Sequence, residues 1–92
     1  MYNLILEDLA VLEMQEAFEW YESQEPGLGF DLIEKAESCF LDITNNPQYY
    51  YNISDKERRI HLDKFPYKII YFIKENTIVV TSFFHAARKP LY

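Results

Sequence analysis

Residues 25–29 read Glu-Pro-Gly-Leu-Gly and hold both glycines of the 92-residue chain. A proline next to two glycines ends a helix and lets the backbone turn sharply. A segment with helical periodicity precedes this stretch, and a second one follows it. The sequence therefore predicts a helical hairpin whose turn lies at residues 25–29.

The segments on both sides of the turn have apolar residues at three- and four-residue spacing. Between Asp8 and about Gln24, the glutamates fall mostly off the apolar face and are interpreted as a solvated surface. The apolar positions of this first helix are Ala10, Met14, Ala17, Phe18 and Tyr21. The second pattern starts at Phe30 and ends at Asn45-Asn46-Pro47, where a helix is expected to stop.

Strands are predicted near both ends of the chain. Residues 2–6 form a short apolar run before the first helix, whereas residues 48–56 have no period and are interpreted as a loop. A period of two follows. Residues 59–63 alternate between polar and apolar, and residues 67–73 and 77–84 are apolar on both faces, with a hairpin connection at 74–76.

This order of elements predicts the fold class. A strand, two helices and then successive antiparallel strands are typical of a two-layer α+β domain. The helical hairpin would cover one face of the sheet, and the other face would be left to solvent or to a partner. We expect residues 1–92 to form one such domain.

The composition excludes several classes of protein. Cys39 has no second cysteine to pair with, and one cysteine with two separated histidines, His61 and His85, cannot assemble a zinc site. No apolar run approaches the roughly 18 residues that span a bilayer, and the first residues lack the features of a secretory signal. Motifs of phosphate-binding loops and serine hydrolases are also missing. We expect a cytoplasmic protein without a metal, a cofactor or a membrane partner.

The net charge of -6 is divided unevenly along the chain. Residues 1–46 hold eleven acidic residues and one lysine, for a net charge of -10, whereas residues 47–92 hold eight basic and four acidic residues, for a net charge of +4. Such asymmetry indicates an anionic or oppositely charged partner at the basic half. Two independently solvated faces are the alternative interpretation.

The basic residues of the second half fall on or beside predicted strands. Arg58 and Arg59 begin one strand, Lys68 lies in the next, and Arg88 and Lys89 follow the last. On neighbouring strands these side chains could form one basic patch. Such a patch would be suited to binding phosphate.

Two histidines are candidates for acid–base chemistry. His85 ends the most apolar strand, and Arg88 follows three residues later. A histidine beside an arginine could transfer a proton in phosphodiester cleavage while the arginine stabilises developing charge. His61 shares a predicted strand face with Arg59 and Asp63. The alternative interpretation is a structural histidine at position 85 and an ordinary exposed one at position 61.

The tyrosines divide into two groups. Tyr67 and Tyr71 alternate on a predicted interior strand and are expected to be core residues. Residues 49–51, three tyrosines in a row, and Tyr92 near the end of the sequence are freer to contact a partner.

Several segments together resemble the RelE/ParE superfamily of type II toxin–antitoxin toxins. They are Ala10 and residues 17–21 in the first helix, residues 26–30 at the turn, Asn46-Pro47, Arg58-Arg59, residues 65–71, and the closing His85-x-x-Arg88-x-Pro90. The resemblance covers nearly the whole chain. It implies a growth-inhibiting toxin with a role such as plasmid stabilization, held inactive by a cognate antitoxin whose extended or helical tail wraps around it.

The resemblance implies one of two targets. ParE-like members inhibit DNA gyrase without a recognised hydrolytic site, whereas RelE-like members cleave messenger RNA on the ribosome. The turn and the closing motif look more like ParE, and the lysines near the second strand are few, Lys56 and Lys64, which disfavours attraction to RNA. Gyrase binding is the leading hypothesis. A ribosome-dependent endoribonuclease is the alternative, and a degenerate, non-toxic relative is the third.

The resemblance also implies which residues would act. For the nuclease, the matching positions are Arg59, Lys68, His85, Arg88 and Tyr92. For partner binding, the candidates are Tyr49, Tyr50, Tyr51, Arg58, Arg59, Arg88, Lys89 and Tyr92. The sequence leaves open which antitoxin binds and whether the chain forms a homodimer.

Overall fold

A computed structural model describes residues 2–87, which form two helices and one five-stranded sheet. The elements are β1 (Asn3–Leu6), α1 (Asp8–Gln24), α2 (Leu28–Asn45), β2 (Tyr51–Asn52), β3 (Glu57–His61), β4 (Tyr67–Lys74) and β5 (Thr77–His85). The strand order is β1-β5-β4-β3-β2; β1 runs parallel to β5, and the other pairs are antiparallel. The predicted two-layer α+β fold is confirmed. No helix within residues 2–87 combines the length and apolar character needed to cross a membrane.

Two details of the predicted strands were wrong. The stretch predicted to be a loop contains β2, whose Tyr51 and Asn52 pair with Arg59 and Arg58 of β3. A two-residue strand has no period to detect, since it exists only through its partner. The alternating run was predicted to extend to Asp63, but β3 ends two residues earlier, and Asp63 instead lies 3.6 Å from the ammonium of Lys35 on α2.

Gly27 lies in the turn between the helices, and Gly29 lies in the first turn of α2. Gly27 has a φ of 93°, a left-handed conformation that favours glycine. A Cβ on Gly29 would lie 2.7 Å from the carbonyl oxygen of Phe18, so α1 and α2 approach closely here. The carboxylate of Glu22 accepts hydrogen bonds from the backbone N–H groups of Gly27 and Gly29 at 2.9 Å each. The predicted helical hairpin is confirmed; its turn lies at residues 25–27, shorter than the predicted 25–29, because α2 begins at Leu28.

The core lies between the helices and one face of the sheet. Helical side chains such as Leu32 and Ile43 pack with Tyr67, Ile69 and Tyr71 of β4. The predicted burial of both tyrosines is confirmed. Because the Tyr71 hydroxyl donates to the Pro47 carbonyl at 2.7 Å, the end of α2 is also tied to the central strand.

The α1 glutamates were interpreted as a solvated surface. This is wrong for Glu13, which is only 7% exposed. β1 pairs with β5 only as far as Leu6 and Val80. Phe83 lies three residues further along β5, so no residue of β1 pairs with its backbone. The Glu13 carboxylate accepts from the Phe83 N–H at 2.9 Å and from the Ser82 hydroxyl at 3.1 Å. A carboxylate of α1 thus replaces the missing strand neighbour.

Candidate functional site

The sheet has one face covered by the helices and one that we call the open face. Ile69 and Tyr71 point into the helix-covered core, so their neighbour Lys68 extends from the open face. Residues paired across antiparallel strands lie on the same face. Lys68 pairs with His61 of β3 and with Phe84 of β5, which places all three side chains on the open face.

Three basic residues, Arg59, His61 and Lys68, form what we call the open-face cluster. Arg59 lies two residues before His61 on β3, and the registers bring Lys68 beside them. The Arg59 guanidinium carbon lies 4.6 Å from the centre of the Tyr51 ring, and the Lys68 ammonium lies 5.8 Å from that of Phe84. Cation–π contacts of this kind contribute about 0.5–1 kcal/mol at exposed sites. The two rings therefore help to orient both cations.

Electrostatics favours the neutral form of His61. Burial is the main cause of its lowered pKa, and the positive charges of Arg59 and Lys68 lower the pKa further. A neutral imidazole beside two cations can accept a proton or donate one from its N–H. The cluster could thus bind a phosphate or carboxylate, or take part in proton transfer next to an anion.

The sequence suggested His61 beside Arg59, but its proximity to Lys68 depends on the strand register. No spacing within the chain reveals which residue of β4 lies opposite His61. The pair became apparent only from the register that joins His61 to Lys68.

Arg58 does not join the open-face cluster. It pairs with Tyr71, which points into the helix-covered core. Its guanidinium donates to the carbonyl oxygens of Gln48 at 3.0 Å and Tyr50 at 2.8 Å. These bonds fasten the segment before β2 to the sheet. The structure therefore gives Arg58 a structural role, although it was a candidate for partner binding.

The three consecutive tyrosines differ in exposure. Tyr49 is 81% and Tyr51 64% exposed, whereas Tyr50 is half-buried against the core. The rings of Tyr49 and Tyr50 meet edge to face at 5.1 Å. Tyr49 and Tyr51 thus remain accessible candidates for partner contact.

His85 is separated from the open-face cluster by the sheet itself. It pairs with the buried Tyr67, and the two rings meet edge to face at 5.3 Å. Its Nδ1 accepts a hydrogen bond from the Ala87 N–H at 3.1 Å. His85 therefore lies on the helix-covered side, whereas Arg59 and Lys68 extend from the open face.

The remaining candidates, Arg88, Lys89 and Tyr92, lie outside the described residues. Within residues 2–87, no three His, Cys, Asp or Glu side chains are grouped so that they could hold a metal ion. The open-face cluster is thus the described site with the clearest capacity for binding an anion.

Comparison with known proteins gives matches of structure only, because no family model and no curated protein matches the sequence. A chain of the chromosomal ParDE TA system from P. aeruginosa superposes with a TM-score of 0.81 at 11% identity, covering 92% of this chain and 96% of that chain. The isolated E. coli RelE toxin gives 0.71 at 19% identity, covering 97% and 88%. A chain of the intact E. coli RelBE toxin–antitoxin complex also gives 0.71 at 19% identity, covering 96% and 100%. As the resemblance implied, this chain has the RelE/ParE toxin fold.

Proposed function

We propose that this chain is the toxin component of a type II toxin–antitoxin system, neutralised by a cognate antitoxin. The proposal is supported by the fold shared with chains from a ParDE TA system, from isolated RelE and from a RelBE toxin–antitoxin complex. It is also supported by the division of charge, since a partner could match the acidic half, the basic half or both. The toxin would act in the cytoplasm.

The toxin inhibits growth by binding its target, which we propose to be DNA gyrase. One observation carries this choice: His85 and Lys68 extend from opposite faces of the sheet. Proton transfer and charge stabilisation must act on the same phosphodiester, within hydrogen-bond reach of the reacting atoms. A toxin that acts by binding requires only accessible contact residues, and Tyr49, Tyr51 and Arg59 supply these.

The second candidate function is ribosome-dependent cleavage of messenger RNA, centred on the open-face cluster. The observation that favours it is the position of His61, two residues after Arg59 on β3 and opposite Lys68 on β4. In this mechanism a ribose hydroxyl of the message would attack the adjacent phosphorus as the bond from phosphorus to the next nucleotide's oxygen breaks. His61 would accept the proton of the attacking hydroxyl, water would protonate the leaving oxygen, and the two cations would stabilise charge on the phosphate. Such a nuclease would use His61 in place of His85.

Expression of the chain in a bacterium, with DNA supercoiling and messenger-RNA integrity measured in parallel, tests these functions. We expect growth to stop and supercoiling to change while transcripts remain intact. We also expect His85→Gln to remain toxic, because glutamine keeps a hydrogen-bonding group but cannot transfer a proton near neutral pH. The matched variant His61→Gln should remain toxic as well.

Each contrary result identifies a different alternative. Transcript cleavage that disappears in a folded His61→Gln variant would establish the second candidate function. Cleavage that disappears in a folded His85→Gln variant would restore the nuclease implied by the family resemblance. Normal growth at high expression, with neither readout affected, would indicate a non-toxic relative.

A further inference from the structure

A groove of about 500 Å³ lies on the helical layer, away from the open face. Its apolar lining comes from three elements: Leu6 of β1, Val11, Met14 and Phe18 of α1, and Ile33 of α2. Val11 is 38% exposed, so the groove is accessible from solvent. A concave apolar surface of this kind is suited to side chains of a partner helix or strand.

The polar surroundings of the groove are acidic. Glu19 belongs to the lining, together with the neutral Gln15. On α2, the exposed residues Glu34 and Glu37 follow Ile33 at one- and four-residue spacing, and the four-residue spacing puts Glu37 on the same helix face as Ile33.

No basic side chain of the two helices offsets this charge. Together, α1 and α2 hold nine acidic residues, and Lys35 is their single basic residue. Lys35 lies 3.6 Å from Asp63 and is engaged there. The field around the groove is thus negative, and it attracts cationic groups.

We propose that this groove binds a segment of the antitoxin whose apolar side chains are flanked by lysine or arginine. The apolar side chains would fill the space between Val11, Met14 and Ile33, and the flanking cations would face Glu19 and Glu37. Charge complementarity selects this occupant over an acidic or neutral segment. The inference rests on the proposed function, because the partner it describes is the neutralising antitoxin.

The test uses a synthetic 16-residue amphipathic peptide with leucines at helical spacing and lysines elsewhere. A second peptide, with glutamate in place of every lysine, is the matched control. We expect the lysine peptide to bind and to shift NMR signals of Val11, Met14 and Phe18. Affinity should fall as salt is added, since exposed charges are screened over about 8–10 Å at physiological ionic strength.

Two pairs of variants separate groove binding from general attraction to an acidic protein. Glu19→Lys should weaken the lysine peptide roughly five- to tenfold, whereas Glu16→Lys makes the same charge change on α1 outside the lining and should have a smaller effect. Val11→Ser should weaken binding more than Leu12→Ser, because only Val11 lines the groove.

The proposal is overturned if the lysine peptide does not bind, if the glutamate peptide binds equally well, or if the signals that shift belong to the open face. Equal effects of Glu19→Lys and Glu16→Lys would also overturn it. These measurements use folded protein and make no use of growth inhibition. Peptide binding therefore tests the groove, and growth inhibition separately tests whether the chain is a toxin.

Discussion

The carboxylate of Glu13 on α1 accepts a hydrogen bond from the backbone N–H of Phe83 on β5, at 2.9 Å. The two residues are seventy positions apart in the chain, and the bond joins the helical layer to the strand that lies between β1 and β4. The same carboxylate oxygen also accepts from Ser82, which is fully buried. This bond is a link between the two layers that apolar packing alone would not provide.

Removing this link should destabilise the protein. Glu13→Ala leaves two buried donors without an acceptor, and we expect the free energy of unfolding to fall by about 3 kcal/mol. For a domain of this size, the melting temperature should fall by roughly 10 °C or more. Glu13→Gln should lose less, because its amide oxygen can still accept from Phe83. Glu16→Ala, at an exposed position of the same helix, is the control; a similar loss in that variant would contradict the role of Glu13.

Gly27 in the turn and Gly29 at the start of α2 should respond differently to alanine. Gly27→Ala places a Cβ in open space at a φ of 93°, with an expected cost of about 1 kcal/mol. Gly29→Ala should cost about 1–3 kcal/mol, because its Cβ would lie 2.7 Å from backbone of the facing helix. Thermal unfolding measures both, with the exposed position Ser38→Ala as the control. A melting temperature unchanged in Gly29→Ala would show that α1 and α2 do not approach as closely as described.

Arg58 and Arg59 are adjacent in sequence and should have separate roles. Arg58→Met removes two hydrogen bonds to carbonyl oxygens and should lower the free energy of unfolding by roughly 2 kcal/mol. Arg59→Met should lower the free energy of unfolding by only about 0.5–1 kcal/mol, the size of an exposed cation–π contact such as the one with Tyr51. It should nevertheless reduce growth inhibition if Arg59 contacts the target from the open face, as we propose. Equal melting temperatures for the two variants would rule out this division.

His61 should titrate below the ordinary histidine pKa of 6.5. Its imidazole signals, followed by NMR as the pH is lowered, measure this directly. Lys68→Met should raise the His61 pKa by removing a nearby positive charge, whereas Lys74→Met, at the far end of β4, should leave it unchanged. His61 binds a proton less readily in the folded state than in the unfolded state. Its contribution to the free energy of unfolding is therefore lost as the pH falls from 6.5 through its folded pKa. A pKa at or above 6.5 in the wild-type protein would contradict the described surroundings.

The sequence by itself determined both helices, the longer strands and their order, because these depend on local chemistry. Residues 25–29 favoured a turn, since proline ends a helix and glycine is unfavourable within one. The three- and four-residue spacing of apolar side chains predicted both helices, and runs that are apolar on both faces predicted the two long strands. The similarity of several segments to one toxin superfamily then indicated the fold, and the superpositions confirmed it.

Only the tertiary structure decided which side chains meet. A shift of one residue in register would move a strand's side chains to the opposite face, and no local pattern reveals the partner of a given position. Register brings His61 to Lys68 and separates both from His85. The burial of Glu13 also depends on tertiary structure. The periodicity of α1 placed the glutamates off the apolar face. Because β1 ends at Leu6, however, the backbone N–H of Phe83 on β5 has no strand partner and donates to the Glu13 carboxylate instead.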